Sequence, residues 1–145
     1  MKLHLLILLL LGIWIGMLIG ISFVEAPLKF RAPNITLPLG LGIGKIVFSA
    51  LNKFELTFSV GLLFWIIKEY KHLDLFPTIV LGVLIFLVML QTVWLIPILN
   101  ARADAIIGGA QLAKSNHHFY YVGMEVVKLI ALLYSFVKTY SFIGN

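Results

Sequence analysis

Cysteine is missing from the chain, which excludes disulfides, thiolate metal sites and cysteine nucleophiles. Charge is scarce as well: 12% of the 145 residues are charged against 61% hydrophobic, and the mean hydropathy is +1.07. So apolar a chain has too little polar surface to be a water-soluble globule. The 11 Lys and Arg set a formal charge of +5, but they stand singly and never form a basic stripe with interleaved aromatics. Nucleic acid is therefore not an expected partner. Period-two alternation is also missing, which argues against a β-barrel.

What the chain does have is long apolar runs, at about 3–24, 46–67, 75–97 and 119–140. Each is close to the roughly 20 residues that span a bilayer as a helix. Lipid offers the backbone no hydrogen bonds, so continuous runs of this kind must be helical. The expectation is an all-α polytopic protein: one integral membrane domain over 1–145, a four-transmembrane-helix bundle in contact with the lipid bilayer, in a bacterial plasma membrane. The first run imitates a secretory signal, with Lys2 before it and Val24-Glu25-Ala26 resembling a cleavage site. It exceeds the roughly 7–15 residues of a signal core, and Pro27 would hinder cleavage, so it reads as a retained first helix.

Between the runs, 68–74 is short and charged, while 25–45 and 98–118 are longer and themselves apolar. Ile35-Thr36-Leu37-Pro38-Leu39 and Ala105-Ile106-Ile107-Gly108-Gly109-Ala110 are expected to lie on the bilayer surface or dip into it. The short and long connections suggest two tandem helical hairpins. Sliding the sequence along itself until Gly12 falls on Gly82 also pairs Pro27 with Pro97, Glu55 with Glu125, Lys68 with Lys138 and Tyr70 with Tyr140. A repeat of 1–70 and 71–145 would set the second and fourth helices parallel, with Glu55 and Glu125 at one depth. Lys2, Lys68, Lys71 and Lys138 on one side balance Lys29, Arg31, Lys45, Arg102 and Lys114 on the other, so the basic residues do not orient the protein.

Charges inside the runs are the strongest functional pointers, because each costs about 2.5–3.5 kcal/mol at mid-bilayer and needs a partner. Ser49, Asn52, Glu55 and Ser59 share one face of the second helix; His118, Tyr121, Glu125, Lys128, Ser135 and Thr139 share one face of the fourth. Glu125 and Lys128 are one turn apart. The expected intramembrane polar cluster is Glu55, Lys128 and Glu125, with Asn52, Lys53 and Tyr121 around it. Lys53 points away from Glu55 and is expected to snorkel, reaching Glu25 or an anionic headgroup.

His117, His118 and Arg102 form a candidate ligand site at the head of the fourth helix. Adjacent histidines diverge by about 100° and cannot grip one ion as an i, i+4 pair could. His4 and His72 lie at the opposite membrane face, so neither metal nor haem is expected. Gly12, Gly16 and Gly20 make a small-residue stripe for helix packing. Gly40-Leu-Gly-Ile-Gly-Lys45 lacks the spacing and the hydroxyl of a phosphate loop and reads as a hinge. Asn34-Ile35-Thr36 reads as a chance sequon.

The segment Ser22-Phe23-Val24-Glu25-Ala26-Pro27-Leu28-Lys29-Phe30, after a glycine-rich first helix, resembles small four-helix membrane proteins of unknown function distantly related to the copper-resistance protein D membrane domain. Phe23, Ala26, Pro27 and Phe30 match their Phe-x-x-Ala-Pro-x-x-Phe-like segment, and Arg102 and His118 match an arginine upstream of a histidine that opens helix 4. The resemblance implies a four-helix membrane fold with no established activity, and copper as a distant association. Glu125 and Lys128 are not part of that pattern.

From the residues, the first expectation for function is an accessory or interaction subunit, as a homo-oligomer or with other membrane-protein subunits. The alternative is a small dimeric transporter or proton-coupled carrier using the intramembrane Glu and Lys. No nucleophile or metal-ligand set completes a catalytic constellation, so an enzyme ranks last.

Overall fold

The structure, a computed structural model, describes residues 2–69, 71, 73–113 and 115–144. Four long helices follow one another: α1 (Lys2–Arg31), α2 (Leu37–Glu69), α3 (Leu75–Ile107) and α4 (His117–Gly144). Each is long and apolar enough to cross a membrane. The chain is a small multi-pass membrane protein with an all-α four-helix bundle fold. Its outer faces carry Leu6, Leu9, Ile46, Val60, Phe86 and Ile130, all exposed. In lipid these side chains are solvated as well as they would be in a core.

α1 and α3 each pack against both α2 and α4, so α2 and α4 face each other across a diagonal. At one end, called the His4 end, His4 stacks on Phe142 and meets Trp65 edge-on. At the other, the Lys45 end, Lys45 binds both carboxylate oxygens of Asp104 at 2.6 Å. Tyr70, His72 and Lys114 lie outside the described residues, and with them the Tyr70–Tyr140 pairing and the place of His72.

The helices outrun the apolar stretches that announce them. Residues 26–31 continue α1, 37–45 open α2 and 98–107 extend α3, so the expected surface or re-entrant segments are mostly helix. Two causes are visible. Proline inside a helix removes a hydrogen bond and crowds the carbonyl four residues back, yet Pro27 and Pro97 each follow a π-helical stretch, Ile19–Glu25 and Gln91–Leu95. In each, the residue before the proline donates its N–H five residues back, Ala26 to Ile21 and Ile96 to Gln91. The wider turn absorbs the ring, and the two bonds keep the same offset that pairs Pro27 with Pro97.

The second cause is capping. Asn34 turns the chain with φ 64°, a region Asn tolerates, and Thr36 Oγ1 accepts the N–H of Leu39 at 3.4 Å to start α2, with Pro38 in its first turn. The sequon residues thus serve as turn and cap. Gly40, Gly42 and Gly44 lie inside regular helix, not a hinge. A Cβ on Gly40 would collide with the Phe30 ring, and one on Gly44 would come within 3.0 Å of Lys29 Nζ. Glycine there lets the end of α1 lie against α2.

The stripe on α1 behaves differently. A Cβ on Gly12 would touch Phe136 of α4 at 3.5 Å, but nothing lies within 4 Å of Gly16 or Gly20. Only Gly12 packs inside the bundle; the helical twist and the π turn point the other two outward.

Candidate functional site

The polar stripes of α2 and α4 turn inward: Asn52, Glu55, Ser59, Tyr121, Glu125, Lys128, Ser135 and Thr139 are buried. Lys128 Nζ bridges Glu55 Oε1 at 2.5 Å and Glu125 Oε1 at 2.7 Å, closing the diagonal between α2 and α4. All three side chains are at most 1% exposed. Two carboxylates against one ammonium leave a formal charge of −1 among buried side chains, where charge imbalance is costly.

Neutral donors from the other two helices offset part of that cost. Trp14 Nε1 donates to Glu55 Oε1 at 3.1 Å. Ser22 Oγ donates to Glu125 Oε2 at 2.8 Å, and Gln91 Nε2 to Glu125 Oε1 at 2.9 Å. The Tyr121 phenol stands beside Glu125 and Ser22. Ser22 and Gln91 both sit in the π stretches of α1 and α3, a local widening that often marks functional positions. These donors were missed in the sequence although spacing offered a sign: Ser22 lies four residues past Leu18 and Gln91 three past Val88, each continuing the inward face of its helix.

Asn52 stands beside the cluster and donates to Thr92 Oγ1 of α3 at 2.9 Å, while Thr92 donates to the carbonyl of Val88. Lys53 is not in the cluster. It lies exposed on the outer face of α2 with no ion pair among the described residues. Glu25, its expected partner, instead pairs with Lys29 one turn along α1 at 3.3 Å, because i, i+4 neighbours on one helix meet without any rearrangement.

Above Glu125, toward the Lys45 end, the four helices part around a cavity of about 400 Å³, partly open to the outside. Its volume falls within the roughly 300–1,000 Å³ of small-molecule pockets, and its walls are predominantly apolar. Phe23, Ala26, Pro27 and Phe30 all line it, as does His118. Lys29 and Phe48 also line it, and the Lys29 ammonium lies 5.2 Å from the Phe48 ring centre and 5.7 Å from that of Phe30.

His117 and Arg102 do not join His118 on the wall. The His117 ring bonds the Ser115 hydroxyl, and Arg102 donates to the Ala113 carbonyl at 2.6 Å; both fasten the 108–116 connection, where Gly109 takes φ 90°. Among the described residues no group of three or more His, Asp or Glu converges as a metal site would require. No family model, no curated protein and no solved structure matches this chain.

Proposed function

We propose that this protein is a small membrane carrier that loads from the Lys45 end, with the Lys128-bridged carboxylates as the element whose charge changes on loading. The observation that carries the reading is the juxtaposition of a buried, charge-unbalanced cluster with an open cavity whose floor is Glu125. An ion-pair network that only held the bundle in register would need no cavity over it, and packing would fill the space. A path at the other end must form during a transport cycle, and a dimer supplies the second moving surface. A bacterial plasma membrane and kinship with small four-helix membrane proteins belong to the same reading, and Phe23, Ala26, Pro27 and Phe30, the residues that carry the resemblance, lie on the cavity wall.

The test needs no substrate. Infrared difference spectra of the protein in lipid, taken while external pH steps between 5 and 9, report any carboxyl that exchanges protons with bulk water. The carrier reading expects a reversible carboxyl band that Glu125→Gln removes while the variant keeps its fold. If no carboxyl responds and Glu125→Gln only lowers the melting temperature, the cluster is a structural clasp and the reading fails.

A second reading, an accessory subunit, is favoured by one specific observation. Lys53 and the Gly16/Gly20 stripe present a charge and a smooth helix surface to lipid. Native mass spectrometry decides it: another protein at fixed ratio, lost in Lys53→Leu, supports that role, and a lone homodimer unaffected by the change opposes it.

A further inference from the structure

The cavity lining carries two lysines, Lys29 and Lys45, against one carboxylate, Glu125, while the acids that pair with the lysines, Glu25 and Asp104, stand outside the lining. A carboxylate offers about four acceptor positions, and Glu125 already accepts from Ser22, Gln91 and Lys128. The floor therefore has little to give an incoming cation. Lys45 is equally engaged, gripped by both oxygens of Asp104.

Lys29 is different. Its side chain is 9% exposed, and its sole ion pair among the described residues is the 3.3 Å contact with Glu25, itself 32% exposed. Three N–H donors share that one carboxylate and two ring faces. Removing an ammonium from water is costly unless its donors are well used, and ring faces are weaker partners than a charged oxygen, so Lys29 can exchange a ring contact for an anionic acceptor. The surrounding wall is apolar and aromatic, from Phe23, Phe48, Ile96 and Leu99. Such a wall accepts a chain or ring and offers little hydrogen bonding.

We infer that the cavity binds an amphipathic anion: a carboxylate or phosphate head against Lys29, with a single chain or ring against Phe23, Phe48 and Leu99. This rests on the carrier reading only in that a ligand enters the cavity. An organic cation would meet the Lys29 ammonium before reaching an occupied Glu125. An uncharged amphiphile can accept a hydrogen bond from Lys29 but brings no opposite charge to it. The same head chemistry is found on amphiphiles arriving from water and on anionic lipids arriving from the bilayer.

The experiment uses full-length protein in nanodiscs of zwitterionic lipid, titrated by calorimetry with laurate, dodecanol and dodecyltrimethylammonium, each corrected for partition into empty discs. Laurate is expected to bind at least about tenfold more tightly than the other two, a factor in keeping with one charge-assisted hydrogen bond. Lys29→Gln should lose about that factor, Lys29→Arg should retain most of it, and Lys53→Gln, outside the cavity, should change nothing. Leu41→Trp, which fills the cavity from α2, should abolish saturable binding. If Lys29→Gln does not fold, the three ligands on the unmodified protein still decide the sign. Repeating the laurate titration in discs with phosphatidylglycerol separates the sources: competition points to the bilayer, and unchanged affinity to water.

Equal or tighter binding of the cation, or laurate affinity indifferent to Lys29→Gln, overturns the anion inference while leaving the carrier reading intact. If none of the three binds saturably, so that the unmodified protein matches Leu41→Trp, the anion inference falls, and the carrier reading stands or falls on the infrared test alone.

Discussion

The two ends of the bundle differ in how they hold together. Toward the His4 end, Ile7, Leu11 and Trp14 of α1 pack with Leu62 and Trp65 of α2, Leu81 and Leu84 of α3, and Ala131 and Leu132 of α4 in one apolar core. Toward the Lys45 end the same four helices enclose a cavity, and the ion pair that crosses between helices there, Lys45 of α2 with Asp104 of α3, is exposed and adds little cohesion. The charge cluster lies at the boundary. In lipid, apolar surface gains little by moving from tails to protein, so close packing and satisfied polar groups do most of the stabilising. One half is optimised for packing, and the other forgoes packing to keep space. That difference is expected of a molecule with a rigid base and a receptive mouth.

The largest way to disturb this division is at the boundary. Lys128→Met leaves two buried carboxylates facing each other and is expected to cost about 3–5 kcal/mol, read as a loss of folded protein or a large drop in melting temperature in mild detergent. Next comes a matched pair of truncations. Leu84→Ala, in the packed half, should cost about 2–3 kcal/mol through the void it leaves, whereas Leu99→Ala, on a wall that already fronts open space, should cost less than about 1 kcal/mol. Equal costs would mean that the cavity closes in the membrane. Gly40→Ala should cost about 1 kcal/mol, since its Cβ meets only the partly exposed Phe30 ring, which can swing aside; the change should also alter laurate affinity. Smallest of all, Ser59→Ala removes a buried hydroxyl with no hydrogen-bond partner among the described residues and should shift stability by no more than about 0.5 kcal/mol.

Some of this was legible in the sequence for simple reasons. Apolar runs long enough to cross the bilayer have one structural solution in lipid, and face-sharing on a helix follows from spacing alone, so the inward stripe of Asn52, Glu55 and Ser59 could be located in advance. The cavity could not. It depends on where α1 and α3 end, and those ends depend on whether Pro27 and Pro97 break a helix or are absorbed by a π turn. A proline in a sequence carries both possibilities. The donors to Glu125 escaped notice for another reason: Ser22 and Gln91 continue the inward faces of their helices by ordinary spacing, four residues past Leu18 and three past Val88, but each is a lone neutral polar residue in an apolar run and drew no attention beside the charges. Lys29 read as one loop charge among several, and nothing local distinguished it from Arg31. The glycines show the converse limit: Gly12, Gly16 and Gly20 look equivalent in sequence, and only the packing of Phe136 separates the first from the others.

The clasp between α2 and α4 also bears on how the protein is made. Ribosomes deliver the chain from its N-terminus, and Glu55 is synthesised 73 residues ahead of the lysine that neutralises it. At about 5–20 residues per second, that lag is roughly 4–15 s. Throughout it, the second helix carries an uncompensated acid that resists release into lipid, and α1 can offer it only the Trp14 indole. The second helix therefore meets the membrane before its charge partner exists, at a cost of about 2.5–3.5 kcal/mol for the ionised acid, and the last span relieves that cost when it arrives.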